Sequence, residues 1–98
     1  MGRGRVGPSR LSYIRALAAS ELLRTMTRDE LALYLYLVLM VPDLRQRCRV
    51  SRGRVLRRLR LTAVRLDRAW RGLAQKGLVT TPVTRRARMG VRLNRPGA

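Results

Sequence analysis

The sequence predicts a small, mainly α-helical domain that ends in a β-hairpin. Apolar residues make up 46% of the 98 residues, so the chain can bury one modest core. Thr27, Ser51 and Thr62 each stand where a helix N-cap is expected, directly ahead of a segment with helical character. After Gly77 the apolar residues begin to alternate with polar ones, which is typical of strands.

The charge balance is extreme and predicts a polyanionic partner. Lys and Arg number 23 against 5 acids, which gives a formal net charge of +18. Such a chain repels itself unless a polyanion is present, so nucleic acid or an anionic membrane is expected. The longest apolar run, residues 31–41, is shorter than the ~18 residues that a membrane span needs. We therefore expect a nucleic-acid partner, no membrane, and a cytoplasmic, nucleoid-associated location.

The residue types exclude several kinds of chemistry. The chain has no His and a single Cys, Cys48, so neither a zinc site nor an intrachain disulfide is expected. Cys48 also lacks a His that could act as its base. Carboxylates are few and no glycine-rich loop that would cradle phosphates is present, so we expect neither an enzyme nor a cofactor.

Three regions are expected along the chain: a flexible basic arm (1–10), one domain (11–94) and a short tail (95–98). The arm is rich in Gly and Arg, and it is either a frayed terminus or a segment that follows phosphates or a minor groove. The domain is expected to begin extended over residues 11–13 and to form a short helix over 16–24.

The stretch TRDE, residues 27–30, predicts the start of a longer helix. It is a capping box, because Thr27 can accept from the amide of Glu30 and the Glu30 side chain can reach back to the amide of Thr27. The helix is expected to cover residues 28–41 and to stop at Pro42.

Apolar residues cover all sides of the helix at 28–41, which leaves two interpretations. Such a helix is buried all round or it meets a partner. In the first case it is a central core helix wrapped by the helix at 16–24. In the second case it forms a homodimer or docks into a larger protein complex, with Tyr34 and Tyr36 as contacts. A chain this short covers such a helix with difficulty, which favours the partner.

Two more helices are predicted after a short strand around residues 48–50. Ser51 is the N-cap of the first helix and Thr62 is the N-cap of the second. Helical spacing places apolar residues on one side of each helix, where Trp70 is either a core residue or a platform for base stacking. Gly77 ends the second helix in the left-handed conformation. The apolar residues are Val55, Leu56 and Leu59 in the first helix, and Leu66, Ala69, Trp70 and Leu73 in the second.

Two strands with alternating apolar residues follow Gly77 on either side of the basic tip TRRAR, residues 84–88. Helix, tight turn, helix and basic hairpin is the order of a winged helix-turn-helix. The stretch VLRRLRLTAVRLDRAWRGLAQKGLV, residues 55–79, resembles the pattern in which a helix ends in Leu-x-Leu, a Ser or Thr caps the next helix, and that helix closes with Lys-Gly-Leu-Val. It is similar to MarR-type regulators and to the winged domains of plasmid and phage replication initiators.

The resemblance implies that the helix at 62–76 lodges in a major groove of DNA and that the wing at 79–94 contacts the backbone. The segment SYIRALAASELLRTMTRDELALYLYLVLM is similar to the lead-in of the initiator group. The chain departs from the family at Arg60, where Gly is usual, and at Leu56, where a small residue is usual. Arg60 must therefore adopt a turn conformation that Gly would reach more easily.

The first turns of this recognition helix carry the residues expected to contact bases. Arg65 and Arg68 can pair bidentately with guanine, or they contact phosphates only. Asp67 either accepts from cytosine N4 or orients Arg68 or Arg71. The expected base contacts are Ala63, Val64, Arg65, Asp67 and Arg68. The expected backbone contacts are Arg52, Arg54, Arg57, Thr62, Arg71, Lys76, Arg85, Arg86 and Arg88.

The sequence thus predicts a sequence-specific protein that binds double-stranded DNA, as a transcriptional regulator or as a replication or partition factor. One alternative is a nonspecific architectural protein that contacts phosphates alone. Another is a small DNA- or RNA-binding subunit of a larger nucleoprotein complex, docked through the helix at 28–41. No metal ligands and no cofactor are expected in any of these cases.

Overall fold

A computed structural model describes residues 10–41, 44, 48–80, 88–94 and 96. Within them the chain is mainly helical, with a small three-stranded antiparallel sheet. The helices are α1 (Arg10–Ala19), α2 (Leu22–Thr25), α3 (Arg28–Met40), α4 (Arg52–Leu59) and α5 (Ala63–Gln75). The strands are β1 (Cys48–Ser51), β2 (Val79–Thr80) and β3 (Arg88–Leu93). Of the predicted arm and tail, all residues except Arg10 and Pro96 lie outside the described residues.

Helix α1 begins earlier than the sequence predicts. The expectation of an extended start over residues 11–13 is wrong, because Arg10 already opens the helix. Tyr13 and Leu17 lie one turn apart on the same face, and both are buried. The predicted helix at 16–24 is interrupted at Ser20 and resumes as α2. Helix α1 packs against α3, and Tyr13 and Leu17 belong to the same core.

Helix α3 is the centre of the core. The capping box is confirmed: the Glu30 amide donates to Thr27 Oγ1 at 3.1 Å, and the Thr27 amide donates to Glu30 Oε1 at 3.0 Å. The helix ends at Met40, and Val41 is already extended, as expected for the residue before a proline. Four residues of α3 have no exposed surface: Leu33, Tyr34, Leu37 and Val38.

The side chain of Tyr34 is held inside the fold. Its hydroxyl donates to the backbone oxygen of Asn94 at 3.1 Å, and burial raises the pKa of the phenol well above its ordinary value. The prediction that Tyr34 contacts a partner is therefore wrong, since the chain itself covers this part of α3. Tyr36 is half-buried, whereas Leu39 and Met40 at the end of α3 are exposed.

Helices α4 and α5 begin after the predicted N-caps, and α5 ends before Gly77 as predicted. Ser51 Oγ accepts from the Arg54 amide at 3.3 Å, and Thr62 Oγ1 accepts from the Arg65 amide at 3.2 Å. Between the helices Arg60 is left-handed, with φ 54° and ψ 46°, which is uncommon for any residue other than Gly, Asn or Asp. Gly77 follows α5 with φ 74°, as predicted.

The sheet joins the segment before α4 to the segment after α5. Its strand order is β1-β3-β2, with Cys48 opposite Val91 and Val79 opposite Leu93. The short strand predicted around 48–50 is confirmed, and it becomes an edge of the same sheet. Residues 81–87 lie outside the described residues. The side chain of Asn94 fastens the end of β3, because its Nδ2 donates to Gly77 O at 2.9 Å and to Thr80 Oγ1 at 3.0 Å.

Candidate nucleic-acid interface

Helix α5 has a buried face and an outer face on opposite sides. Leu66 and Leu73 have no exposed surface, whereas the side of α5 around Val64 faces solvent and Val64 is 61% exposed. One turn of helix separates neighbours on the outer face, so residues at i, i+4, i+7 and i+11 form a single row. The outer face of α5 consists of Val64, Arg68, Arg71 and Gln75, all of them exposed.

The outer face carries groups that can meet the edges of base pairs. Among the described residues, no ion pair involves Arg68 or Arg71. Arginine pairs bidentately with guanine, glutamine pairs with adenine, and an apolar side chain contacts the thymine methyl. The contacts expected from sequence include Val64, Arg68 and Arg71 but not Gln75. The signal that finds Gln75 is its position one turn beyond Arg71.

Arg65, one of the two strongest predicted base contacts, lies on a flank of α5 instead. Its Nε and Nη2 donate to the two carboxylate oxygens of Asp29, at 3.0 and 2.8 Å. The side chain of Arg65 remains 51% exposed, while that of Asp29 is 26% exposed. The hydrogen bonds from Arg65 lower the pKa of Asp29, and those same bonds raise the pKa of Arg65.

The same flank of α5 makes a second ion pair with α3, at the end of α5. Lys76 Nζ lies 3.0 Å from Glu30 Oε1, and the Glu30 side chain is buried. Gly72 leaves room for the Glu30 carboxylate, because a Cβ at position 72 would lie 1.9 Å from Glu30 Oε2. Lys76, predicted as a backbone contact, therefore neutralises a buried carboxylate, and only 19% of its side chain is exposed.

The opposite flank of α5 is tied to α4. Arg52 Nη1 donates to Asp67 Oδ1 at 2.7 Å. This hydrogen bond lowers the pKa of Asp67, and the positive charges of Arg52 and Arg71 lower it further. Asp67 was expected to orient Arg68 or Arg71, or to accept from a base. Its hydrogen-bond partner in the fold is Arg52, which the sequence does not single out for this role.

The remaining predicted contacts divide between exposed positions and residues outside the description. Thr62 and Ala63 are exposed at the start of α5, and Arg54 and Arg57 are exposed on α4. Two predicted wing contacts, Arg85 and Arg86, lie outside the described residues. Arg88 opens β3, but its side chain is also outside the description.

The residues that could hold a metal ion do not come together in the described ranges. Within these ranges, no three of the His, Cys, Asp and Glu side chains form a group that could bind a metal. None of the described helices is both long enough and apolar enough to cross a membrane.

The candidate interface is thus one row of exposed side chains on α5, bordered on each side by ion pairs to another helix. Arg65 and Lys76 form the border toward α3, and Asp67 forms the border toward α4. Comparisons of the chain with protein-family models, with curated proteins and with solved structures find no match.

Proposed function

We propose that this protein binds double-stranded DNA in a sequence-specific manner as a winged helix-turn-helix protein, with α5 as its recognition helix. The outer face of α5 carries the proposal. This helix is locked to the core along one side, while its opposite side exposes two arginines that make no ion pair with any described residue. Proteins that read a major groove present a helix in this way.

The order of elements supports this assignment. Helix α4, the turn at Arg60 and helix α5 are followed by the antiparallel pair β2 and β3. In a winged helix-turn-helix that pair is the base of the wing, whose tip contacts the DNA backbone. Arg85, Arg86 and Arg88 are the proposed backbone contacts of the wing.

The dimensions and chemistry of α5 also suit the groove. Its 13 residues make a rod roughly 20 Å long at ~1.5 Å per residue, and the major groove admits a helix. Arg68 is proposed to read guanine, and Val64 to touch a thymine methyl. Exposed Arg54 and Arg57 on α4 are proposed phosphate contacts. The net charge of +18 supplies the sequence-independent attraction.

The proposed role in the cell is that of a transcriptional regulator or of a replication or partition factor. A nonspecific architectural protein is the second candidate, and one observation favours it. Two of the five predicted base contacts, Arg65 and Asp67, already hold ion pairs within the chain. In this second candidate the ion pairs keep both side chains from reading bases, and binding depends on phosphates.

Selection from a pool of random duplexes, repeated at several salt concentrations, tests the proposal. We expect a consensus site to be enriched, and we expect its affinity to fall steeply with salt. Binding without any enriched sequence would instead establish the architectural alternative. Failure to bind duplexes at low salt, or tighter binding to single strands or RNA, would overturn the proposal.

A further inference from the structure

We infer that Asp29 is a positioning residue that holds Arg65 so that the terminal edge of its guanidinium reads a base. This inference deepens the proposed function and rests on it. The expected ligand of that edge is a guanine, since its O6 and N7 are the bidentate acceptors that arginine prefers in the major groove.

The geometry of the pair leaves the reading edge open. Asp29 is bonded side-on, through Nε and Nη2 of Arg65. Arginine has more N–H donors than one carboxylate can bind. The pair at the terminal edge, one N–H on Nη1 and one on Nη2, makes no hydrogen bond to Asp29. About half of the Arg65 side chain is exposed, so a ligand can approach it.

Asp29 itself is held by the core. It lies in the first turn of α3, next to Glu30, whose carboxylate is buried and bonded to Thr27 and Lys76. Helix α3 packs directly on α5. The Arg65 side chain is therefore held at its guanidinium by Asp29 as well as at its own backbone. An arginine fixed before binding loses less side-chain freedom when the base arrives.

The Asp29–Arg65 ion pair also changes how Arg65 contributes to DNA affinity. Asp29 neutralises Arg65, so this arginine adds little to the general attraction for phosphates. Arg68 on the outer face has no such partner among the described residues and contributes its full charge. We therefore expect Arg65 to contribute to sequence discrimination, and Arg68 to contribute to discrimination and to general affinity.

If Asp29 were only a competitor for Arg65, the opposite behaviour would follow. DNA would have to displace the carboxylate before Arg65 could bind anything. Removal of Asp29 would then strengthen binding to the selected site and to random duplex alike. The positioning role thus predicts a fall in the ratio of specific to random affinity, whereas the competing role leaves that ratio unchanged.

The test compares Asp29→Asn with Glu21→Gln, using the consensus duplex from the selection and a random duplex. Each variant removes one negative charge, but the Glu21 side chain is 88% exposed and forms a long ion pair of 3.8 Å with Arg24 in its own helix turn. For Asp29→Asn we expect random duplex to bind slightly tighter and the specific-to-random ratio to fall by about tenfold. For Glu21→Gln we expect that ratio to stay unchanged.

A repeat of the selection with Asp29→Asn and with Arg65→Lys shows which base is affected. Both variants are expected to lose preference at the same single base pair, because lysine keeps the charge but not the bidentate geometry. Thermal unfolding of each variant verifies that it is folded. An unchanged ratio, or a ratio that rises, in folded Asp29→Asn overturns the inference while DNA binding stands. A wild-type chain that binds no duplex overturns the proposed function, and the inference with it.

Discussion

Helices α3 and α5 begin in the same way and end up in opposite environments. Each has 13 residues, and each is capped by a Thr whose hydroxyl accepts from the amide three residues later. That third residue is Glu30 in α3 and Arg65 in α5. Only the glutamate can complete a capping box, so α3 has the stronger start.

The residues beyond the first turn separate the two helices further. The apolar residues of α3 lie on all sides of the helix, and α1 and α5 pack against its middle. The apolar residues of α5 form mainly one row, so its other side stays in solvent. The comparison shows that equal length and equal capping set the ends of a helix, whereas the distribution of apolar residues sets its exposure.

The acids of α3 also shape the surface of α5. Asp29 and Glu30 neutralise Arg65 and Lys76 on one flank, and neither acid pairs with the outer face. The central helix therefore determines which cations of α5 are paired with a carboxylate on that flank. Substitutions in the two helices and beside them test this division.

The largest effect is expected from Leu37→Ala in α3. Leu37 has no exposed surface, so its truncation leaves a cavity and should lower the free energy of unfolding by about 2–5 kcal/mol. Leu39→Ala in the same helix is the control, because Leu39 is 59% exposed and should change stability by less than about 0.5 kcal/mol. Urea denaturation measures both. Equal losses would show that α3 is not buried in the way described.

The second effect concerns Arg68→Ala on the outer face of α5. This change should weaken binding to the selected duplex by about 1–3 kcal/mol without altering stability. Arg15→Ala on α1 removes the same charge at another exposed position and should weaken binding far less. Titration of labelled duplex by fluorescence anisotropy compares the two. A matching loss from Arg15→Ala would mean that charge alone drives binding and that the outer face has no special role.

The third effect is a difference between two glycine-to-alanine substitutions, which should change the free energy of unfolding in opposite directions. Gly to Ala within a helix ordinarily stabilises it by about 0.5–1 kcal/mol. Gly53→Ala in α4 should follow this rule, since its nearest neighbour would be Arg57 Nη1 at 3.7 Å. Gly72→Ala in α5 should instead destabilise the chain by roughly 1 kcal/mol, because the methyl group displaces Glu30 from Thr27 and Lys76. Thermal unfolding of both variants decides this, and stabilisation by Gly72→Ala would refute the close contact.

The smallest effect is expected from the exposed ion pairs at low pH. The arginine partners lower the pKa of Asp29 and of Asp67 in the folded chain. A carboxyl with a lowered pKa stabilises the fold above the pKa of its unfolded form, and this stabilisation is lost as pH falls through the lower, folded value.

The double variant Asp29→Asn with Asp67→Asn should therefore be less stable than the wild-type chain at pH 7. The difference should shrink below about pH 4, where carboxyls ordinarily become protonated, and it should also shrink in high salt. Chemical denaturation at pH 7 and at low pH measures it. A difference that stays constant across this range would contradict the assignment of the ion pairs.

Sequence patterns predicted most helix ends but not the start of the domain. The N-caps Thr27, Ser51 and Thr62 are all present in the structure, because a cap bonds to an amide only three residues away. The start of α1 was missed because residues 11–13 carry no such local signal. Their helical state depends on Tyr13 packing into the core, which is a contact with distant residues.

The sequence predicted only part of the candidate site, because some of its contacts join residues that are distant in the chain. Helical spacing was enough to place Val64 and Arg68 opposite Leu66 and Leu73. Spacing could not reveal that Arg65 is paired, because Asp29 is 36 residues away. Nor could it show that Tyr34 is buried, since the neighbours that cover it come from other elements of the fold.

The charge of the chain, the ends of most helices and the two faces of α5 follow from the amino-acid sequence alone. Each of these depends on composition or on residues within one or two turns of each other. Which cations of α5 are paired with a carboxylate depends instead on the tertiary structure. Pairing requires a carboxylate within hydrogen-bonding distance. The packing of α3 on α5 brings Asp29 and Glu30 to one flank, and the turn between α4 and α5 brings Arg52 to the other.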